Sequence, residues 1–181
     1  MNIHIETDRL ILRDIEETDA EGIFALDSDP RVHTYLGTRP IESLEEARGI
    51  IQYIRQQYVR NGIGRWAIID KKSNDFIGWT GLKYEQQVRS EFGYYDIGYR
   101  LRTQYWGQGI ATETARECLN YGFEKMNLNE ICGAADVRHQ ASNHILQKIG
   151  LKFSEQFEFE GTLANFYRMD RTRWEQNKQG K

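Results

Sequence analysis

The chain has 181 residues, of which 39% are hydrophobic and 28% are charged, and its formal net charge is −3. This length suits one domain with its own core, so we expect a single domain over residues 1–174 and a polar, frayed tail over residues 175–181. The weakly acidic balance argues against nucleic acid or an anionic membrane as a partner, and the absence of an apolar run of about 20 residues or a signal-peptide pattern predicts a cytoplasmic protein.

The N-terminal third predicts a short strand and two helices. Residues 10–13 form the strand, and residues 19–27 form a helix with one apolar side. The second helix has the clearest signals, because Ser43 suits the N-cap and Glu46 three residues later completes a capping box. Apolar residues follow at helical spacing, and Gly62 supplies the end.

The middle of the chain changes from a period of 3.6 residues to a period of 2, which predicts strands. Residues 66–70 and 76–82 form two strands joined by a polar turn. A third strand runs from about 94 to 101. Its alternation places Asp96, Gly98 and Arg100 on one face and Tyr95, Ile97, Tyr99 and Leu101 on the other.

The C-terminal part of the chain alternates between helical and strand patterns. A glycine-containing loop precedes a helix that reaches about residue 126, and residues 130–137 then form a strand. Residues 139–148 form a short helix that ends at Gly150, and residues 151–157 and 163–171 form a closing hairpin. This order predicts a mixed sheet with helices on both faces.

The loop between the third strand and its helix is the first candidate site. Glycines at 107 and 109 let the backbone approach an anion, and the first turn of a helix presents unpaired N–H groups. From the loop alone, a phosphate site and a structural turn are equally good interpretations. A Walker loop is excluded because no Gly-Lys-Ser/Thr follows, and a Rossmann loop because the third glycine is missing.

The whole chain resembles the GNAT superfamily, and within it the RimJ/RimL-type acetyltransferases. Motifs that carry the resemblance occur in the family's order: TDRLILR from residue 7, FIGWTGL from 76, DIGY from 96, YWGQGIATE from 105, AS at 141, LQKIG from 146 and FYRM from 166. The resemblance implies the GNAT fold, a central, mixed, mostly antiparallel twisted sheet flanked by helices on both faces. It also implies acetyl-CoA as the co-substrate and an enzyme that acetylates amines.

By this resemblance the loop amides hold the pyrophosphate of CoA. The family signature is Arg/Gln-x-x-Gly-x-Gly/Ala, and our preferred register starts at Trp106, so that tryptophan replaces the usual Arg/Gln. A register from Gln104 also matches but lies two residues too early relative to the helix. Pantetheine is expected along the preceding strand. The predicted cofactor-binding residues are Tyr99, Leu101, Trp106, Gly107, Gln108, Gly109, Ile110, Ala111, Thr112 and His139.

The resemblance also implies direct attack of the amine within a ternary complex, which needs a base and a proton donor for the leaving thiolate. Asp96 is the candidate base, acting through a water; its alternative is an exposed carboxylate or a partner of Arg100. Ser142 falls on the family serine that protonates the thiolate; its alternative is an ordinary hydroxyl in a helix's first turn.

His139 occupies a position where the family usually has Asn. Three interpretations stay open: a hydrogen-bonding group for the cofactor, an acid or base near neutral pH, or a surface residue at a helix start. Four aromatic residues near the expected acceptor cleft either line an amine slot or pack on the sheet, namely Trp79, Tyr94, Tyr95 and Tyr99.

The acceptor is expected to be an amine, either a protein or peptide N-terminal α-amino group or a small amine such as a polyamine or an antibiotic. The rival interpretation is a non-catalytic acyl-CoA-binding module. A homodimer is compatible with the resemblance. No metal is expected, because Cys118 and Cys132 lack ligand spacing and His144 lies off the helical face of His139.

Overall fold

The computed structural model of the protein describes residues 2–89 and 91–179. It contains an eight-stranded sheet and five α-helices within these ranges. The strands are β1 (Ile3–Glu6), β2 (Leu10–Asp14), β3 (Arg65–Asp70), β4 (Phe76–Glu85), β5 (Tyr94–Leu101), β6 (Glu130–Asp136), β7 (Lys152–Phe159) and β8 (Thr162–Asp170). The helices are α1 (Ala20–Asp27), α2 (Leu44–Asn61), α3 (Ile110–Glu124), α4 (Gln140–Lys148) and α5 (Arg171–Gln179).

The sheet has the strand order β1-β2-β3-β4-β5-β6-β8-β7. Every neighbouring pair is antiparallel except β5 and β6, which run parallel. The parallel pair arises because α3 crosses over between β5 and β6. The predicted mixed, mostly antiparallel sheet with helices on both faces is therefore confirmed.

Each face of the sheet buries a separate core. On one face α3 and α4 pack against apolar residues of β2 to β6, and on the other α1 and α2 pack against β3 and β4. The alternation predicted for β5 decides which core its residues meet: Ile97 and Leu101 lie in the α3/α4 core, whereas Asp96 and Arg100 face the α1/α2 side. Side chains on the two faces of β5 therefore contact different helical layers.

Helix α2 follows its predicted signals. The Ser43 side chain accepts from the Glu46 N–H at 3.2 Å, and Gly62 closes the helix at a φ of 69°. The Glu46 carboxylate returns to the Glu42 N–H, one residue before the N-cap. The capping therefore confirms the predicted start and end of the helix.

Two elements were not predicted. Strand β1 is a four-residue, largely exposed edge strand, too short for a clear period. The tail expected to fray from residue 175 is instead part of α5, which continues to Gln179. Trp174 stacks on Phe123 at 5.2 Å and bonds Asn120, and Lys178 pairs with Glu124. The prediction of a frayed tail is wrong for residues 175–179, because these tertiary contacts stabilise a helix whose own mean hydropathy is very low. Residues 180–181 lie outside the described residues.

None of the helices in the described ranges combines the length and the apolar character that crossing a bilayer requires.

Candidate functional site

The site is built around a wedge between the parallel strands β5 and β6. The two strands pair only at Asp96 and Cys132, near the start of each. Toward their carboxyl ends, from Gly98 and Gly133 onward, the strands pair with β4 and β8 but not with each other. Because a parallel pair normally continues its ladder, this separation leaves one edge of β5 open to a ligand's polar groups.

A loop and the start of α3 lie at the end of β5. After a single 3₁₀ turn (Thr103–Tyr105), Gly107 and Gly109 adopt φ values of 73° and 75°. Gly109 is the N-cap of α3, and no side chain caps the helix. The first-turn N–H groups of α3 therefore remain available to an anion, where the helix dipole also favours negative charge.

Three side chains hold this loop in shape. The indole N–H of Trp106 donates to the Leu101 carbonyl at 2.8 Å, and the Gln108 amide donates to the Gln104 carbonyl at 3.0 Å. Arg9, which follows β1, donates to the Gln108 carbonyl at 3.0 Å and pairs with Glu113 of α3 at 2.6 Å. The Trp106 side chain thus holds the loop against the end of β5.

Tyr99 and Ser142 meet beside the wedge on the α3/α4 side. The Tyr99 hydroxyl lies 3.0 Å from the Ser142 carbonyl and 3.1 Å from its Oγ. Burial raises the pKa of Tyr99 well above its usual range, with the Ser142 bond opposing this. The phenol is therefore protonated at neutral pH and donates its single proton to the Ser142 carbonyl, so that the Ser142 hydroxyl can donate to the Tyr99 oxygen.

Asp96 lies on the opposite face of β5, against a buried arginine. Arg65 of β3 donates to the Asp96 carboxylate Oδ2 and, at 2.8 Å, to its carbonyl. Gly98 makes this approach possible, because a Cβ there would lie 2.6 Å from the guanidinium. Burial raises the pKa of Asp96, and the charges of Arg65 and Lys83 oppose the increase.

The alternative pairing of Asp96 with Arg100 is wrong. Arg100 donates instead to Asp27, the buried last residue of α1, at 2.6 Å. The side chain of Asp96 remains 16% exposed, so it is not sealed in the sheet. Asp96 and Arg100 therefore lie on the same face of β5 but have different partners, because different elements pack against them.

His139 is the N-cap of α4, but its side chain makes no capping bond. Its imidazole stacks on Tyr35, which lies between α1 and α2, with 4.6 Å between centroids and 19° between planes. Burial lowers the pKa of His139, and the nearby Asp136 carboxylate opposes this. Asn143 donates to the carbonyls of His139 and Asp136 at 2.8 and 2.9 Å, which fixes the backbone at the end of β6.

The four aromatic candidates have separate roles. Tyr94 is buried against Phe166, so for it the packing interpretation is correct. Tyr95 packs beside Tyr84, also within the sheet face. Trp79 is in contact with two guanidinium groups, those of Arg65 and Arg100, at 5.4 and 5.0 Å from its ring centre. Trp79 therefore lies among the charged groups of the α1/α2 side.

The predicted residues form four groups around the wedge: the loop over 106–112 joined to Leu101, the Tyr99–Ser142 pair, Asp96 on the other face of β5, and His139 at the start of α4. Sequence reasoning missed Arg65, Tyr35 and Arg9, each of which contacts a predicted residue. No local pattern predicts these contacts, because the partners lie 31 or more residues away in the sequence. Within residues 2–89 and 91–179, no group of three or more His, Cys, Asp or Glu side chains is arranged to hold a metal ion.

The sequence is similar to known acetyltransferases. Residues 9–152 match the family model described as an acetyltransferase (GNAT) domain. An uncharacterized N-acetyltransferase of Bacillus subtilis (strain 168), YoaA, is 33% identical over 96% of this chain and 93% of its own length.

Solved structures show the same fold. The ribosomal L7/L12 α-N-protein acetyltransferase RimL, in complex with coenzyme A, superposes with a TM-score of 0.77 at 20% identity, covering 93% of this chain and 98% of its own. The spermidine N-acetyltransferase of Vibrio cholerae, in complex with CoA and spermine, has a TM-score of 0.74 at 18% identity and covers 93% of this chain and 99% of its own.

Proposed function

The chain belongs to the GNAT family of acetyltransferases, and we propose that it transfers the acetyl group of acetyl-CoA to the N-terminal α-amino group of a protein or peptide. An acetyl-CoA-dependent N-acetyltransferase follows from the family itself. The acceptor and the residue roles below are our proposal.

The observation that carries the proposal is the wedge between β5 and β6 with the uncapped start of α3 at its end. The loop amides and the N-terminus of α3 suit a pyrophosphate, and the open edge of β5 near Tyr99 and Leu101 suits the amide groups of pantetheine. A thioester that enters by this route would lie in the wedge between β5 and β6, with Asp96 on one face of the sheet and Tyr99 on the other. Acetyl-CoA supplies the activated acetyl group there.

We assign the proton chemistry to residues on opposite sides of β5. Asp96, with its raised pKa and partly exposed carboxylate, would accept the amine's proton through a water. The Ser142 hydroxyl, whose oxygen lies beside the Tyr99 phenol, would donate its proton to the departing thiolate and take up a replacement proton from solvent water. No acyl-enzyme is required, because the amine attacks the thioester directly.

The charges around the wedge support an acceptor with one positive charge. The nearby carboxylates already have cationic partners: Asp96 with Arg65, Asp27 with Arg100, Asp136 with Arg138, and Glu85 with Lys83. A polyamine would have to displace several of these pairs to neutralise its own charges. An α-amino group, with a pKa of about 8, carries a single charge and needs less help from a base than a lysine, whose pKa is about 10.4.

The names of related proteins allow both classes of acceptor. RimL is named for a ribosomal protein, whereas the Vibrio cholerae structure contains spermine. The paired carboxylates favour the first class for this chain, and a small amine is the second candidate.

An amine panel tests the acceptor. The protein is incubated with acetyl-CoA and, separately, with the tripeptide Ala-Gly-Gly, Nα-acetyl-lysine amide, spermidine or an aminoglycoside, and free thiol is measured. We expect thiol release with the tripeptide and a product acetylated at its α-amine by mass spectrometry. Turnover of spermidine or the aminoglycoside alone would select the small-amine candidate. Tight CoA binding with no turnover of any amine would select a non-catalytic module.

A double-mutant cycle tests the Tyr99–Ser142 pair. Tyr99→Phe and Ser142→Ala should each lower kcat by about 10²-fold, the scale of a lost general acid. The double variant should be no slower than the slower single variant, because the two hydroxyls act as one hydrogen-bonded unit. Tyr84→Phe, which removes a hydroxyl from β4 outside the wedge, is the control and should retain activity. Additive losses in the cycle would contradict a shared role.

A further inference from the structure

Tyr35 and His139 form a contact between two elements that otherwise belong to different sides of the wedge. Tyr35 lies in the segment over residues 28–43 that joins α1 to α2, and Arg31 of this segment donates to the hydroxyl of Thr103, just after β5, at 2.8 Å. His139 follows the end of β6 and begins α4, whose Ser142 contacts Tyr99 on the other side. Because these two supports follow the carboxyl ends of β5 and β6, the ring stack lies at the open end of the wedge.

The imidazole of His139 makes no hydrogen bond within the described part of the chain. It makes no helix-capping bond, and neither ring nitrogen bonds to a described residue. The backbone around it is nevertheless fixed, since the His139 N–H donates to the Asp136 carbonyl at 2.9 Å and its carbonyl accepts from Asn143. A fixed backbone and an unbonded ring leave the stack as the contact that orients the imidazole.

Tyr35 is itself held in place by an ordered turn. His33 bonds the Asp27 carbonyl at 2.8 Å and the Thr38 hydroxyl at 2.9 Å, so both ends of the turn are tied to the end of α1. The Ile41 N–H also donates to the Asp27 carbonyl at 2.9 Å. The stack therefore joins two rigid supports and is not a chance contact of a loose loop.

We propose that Tyr35 is a positioning residue for acetyl transfer: its ring holds the His139 imidazole at the entrance of the wedge, where a ring nitrogen receives a hydrogen bond from the acceptor amine. The inference rests on the proposed function and names a recognition element for its acceptor. A neutral imidazole has one acceptor nitrogen, which suits an amine N–H.

The groups around His139 keep the ring in that neutral form. Burial against Tyr35 lowers the pKa of His139, and the Asp136 carboxylate of β6 opposes the decrease. Arg138 neutralises Asp136 through bonds of 2.7 and 3.0 Å to its two carboxylate oxygens, so that carboxylate is a weak counter-charge. Arg138 also lies near Tyr35, so its guanidinium group is beside the stack.

Two substitutions of Tyr35 test the inference. Tyr35→Ala removes the stack, and we expect the KM for Ala-Gly-Gly to rise about tenfold while the KM for acetyl-CoA stays unchanged. Tyr35→Phe keeps the ring and should restore wild-type kinetics. If Ala-Gly-Gly is not acetylated, the amine of the panel that is acetylated replaces it. Tyr53→Ala, which removes an exposed ring of α2, is the matched control.

An NMR titration of the free protein provides a readout that does not need turnover. The His139 resonance is assigned by its loss in His139→Gln. In Tyr35→Ala the pKa of His139 should rise toward its ordinary value, whereas Tyr35→Phe and Tyr53→Ala should leave it unchanged. An unchanged titration in Tyr35→Ala, or an unchanged acceptor KM, would overturn the proposal. Failure of every amine in the panel would instead count against the proposed function, while the titration would still report on the stack.

Discussion

Valine at Gly109 is expected to weaken CoA binding on the order of 100-fold, because two bonds from loop amides to a charged phosphate contribute about 1.5 kcal/mol each. Gly109 has a φ of 75°, which a β-branched residue does not adopt readily, so the Gly109→Val loop must change its backbone. A Cβ at this position would meet no atom closer than 3.9 Å, so the effect comes from backbone conformation and not from a clash in the core. Calorimetric titration with CoA measures it.

Gly62→Val is the matched control for this variant. Gly62 has nearly the same φ, 69°, and equally open surroundings, but it ends α2 far from the loop in sequence and lies outside the wedge. Both variants should lose about 1–3 kcal/mol of stability from the same backbone strain. Only Gly109→Val should lose CoA affinity. Equal affinities in the two variants would mean that the pyrophosphate lies elsewhere.

The Asp96→Asn substitution is expected to lower kcat/KM for the acceptor by about 10²- to 10⁴-fold, the range for loss of a general base. The dissociation constant for CoA should stay unchanged, since Asp96 lies on the face of β5 opposite Tyr99 and Ser142. Asp96→Asn also leaves the buried Arg65 without its anionic partner, so the free energy of unfolding should fall by about 3 kcal/mol. Steady-state kinetics and thermal unfolding separate the two effects.

Asp19→Asn isolates the effect on stability. Asp19 is a buried carboxylate that pairs through two bonds of 2.7 Å with Arg13 of β2, a strand that β3 and β4 separate from β5. The Asp19→Asn variant should lose a similar amount of stability and retain its activity. If Asp19→Asn and Asp96→Asn lost activity equally, or if Asp96→Asn stayed active, Asp96 would be a structural partner of Arg65 and not the base.

Much of the fold follows from local patterns in the sequence. The 2-residue period over 94–101 determined which side chains of β5 face each layer, and Ser43 and Gly62 marked the ends of α2, because these signals act between neighbouring residues. The glycine loop before α3 could be located for the same reason. Strand β1 and helix α5 could not, since a short edge strand and a polar helix are stabilised by contacts with distant parts of the chain.

The sequence by itself determined the family, the loop with Gly107 and Gly109, and the candidates Asp96, Ser142 and His139. Only the tertiary structure decided their partners: Arg65 for Asp96, Tyr99 for Ser142, and Tyr35 for His139. Those partners lie 31, 43 and 104 residues away, where periodicity and spacing carry no information. Sheet order and helix packing bring them together, and burial at those contacts sets the direction in which the pKa values of Asp96 and His139 move.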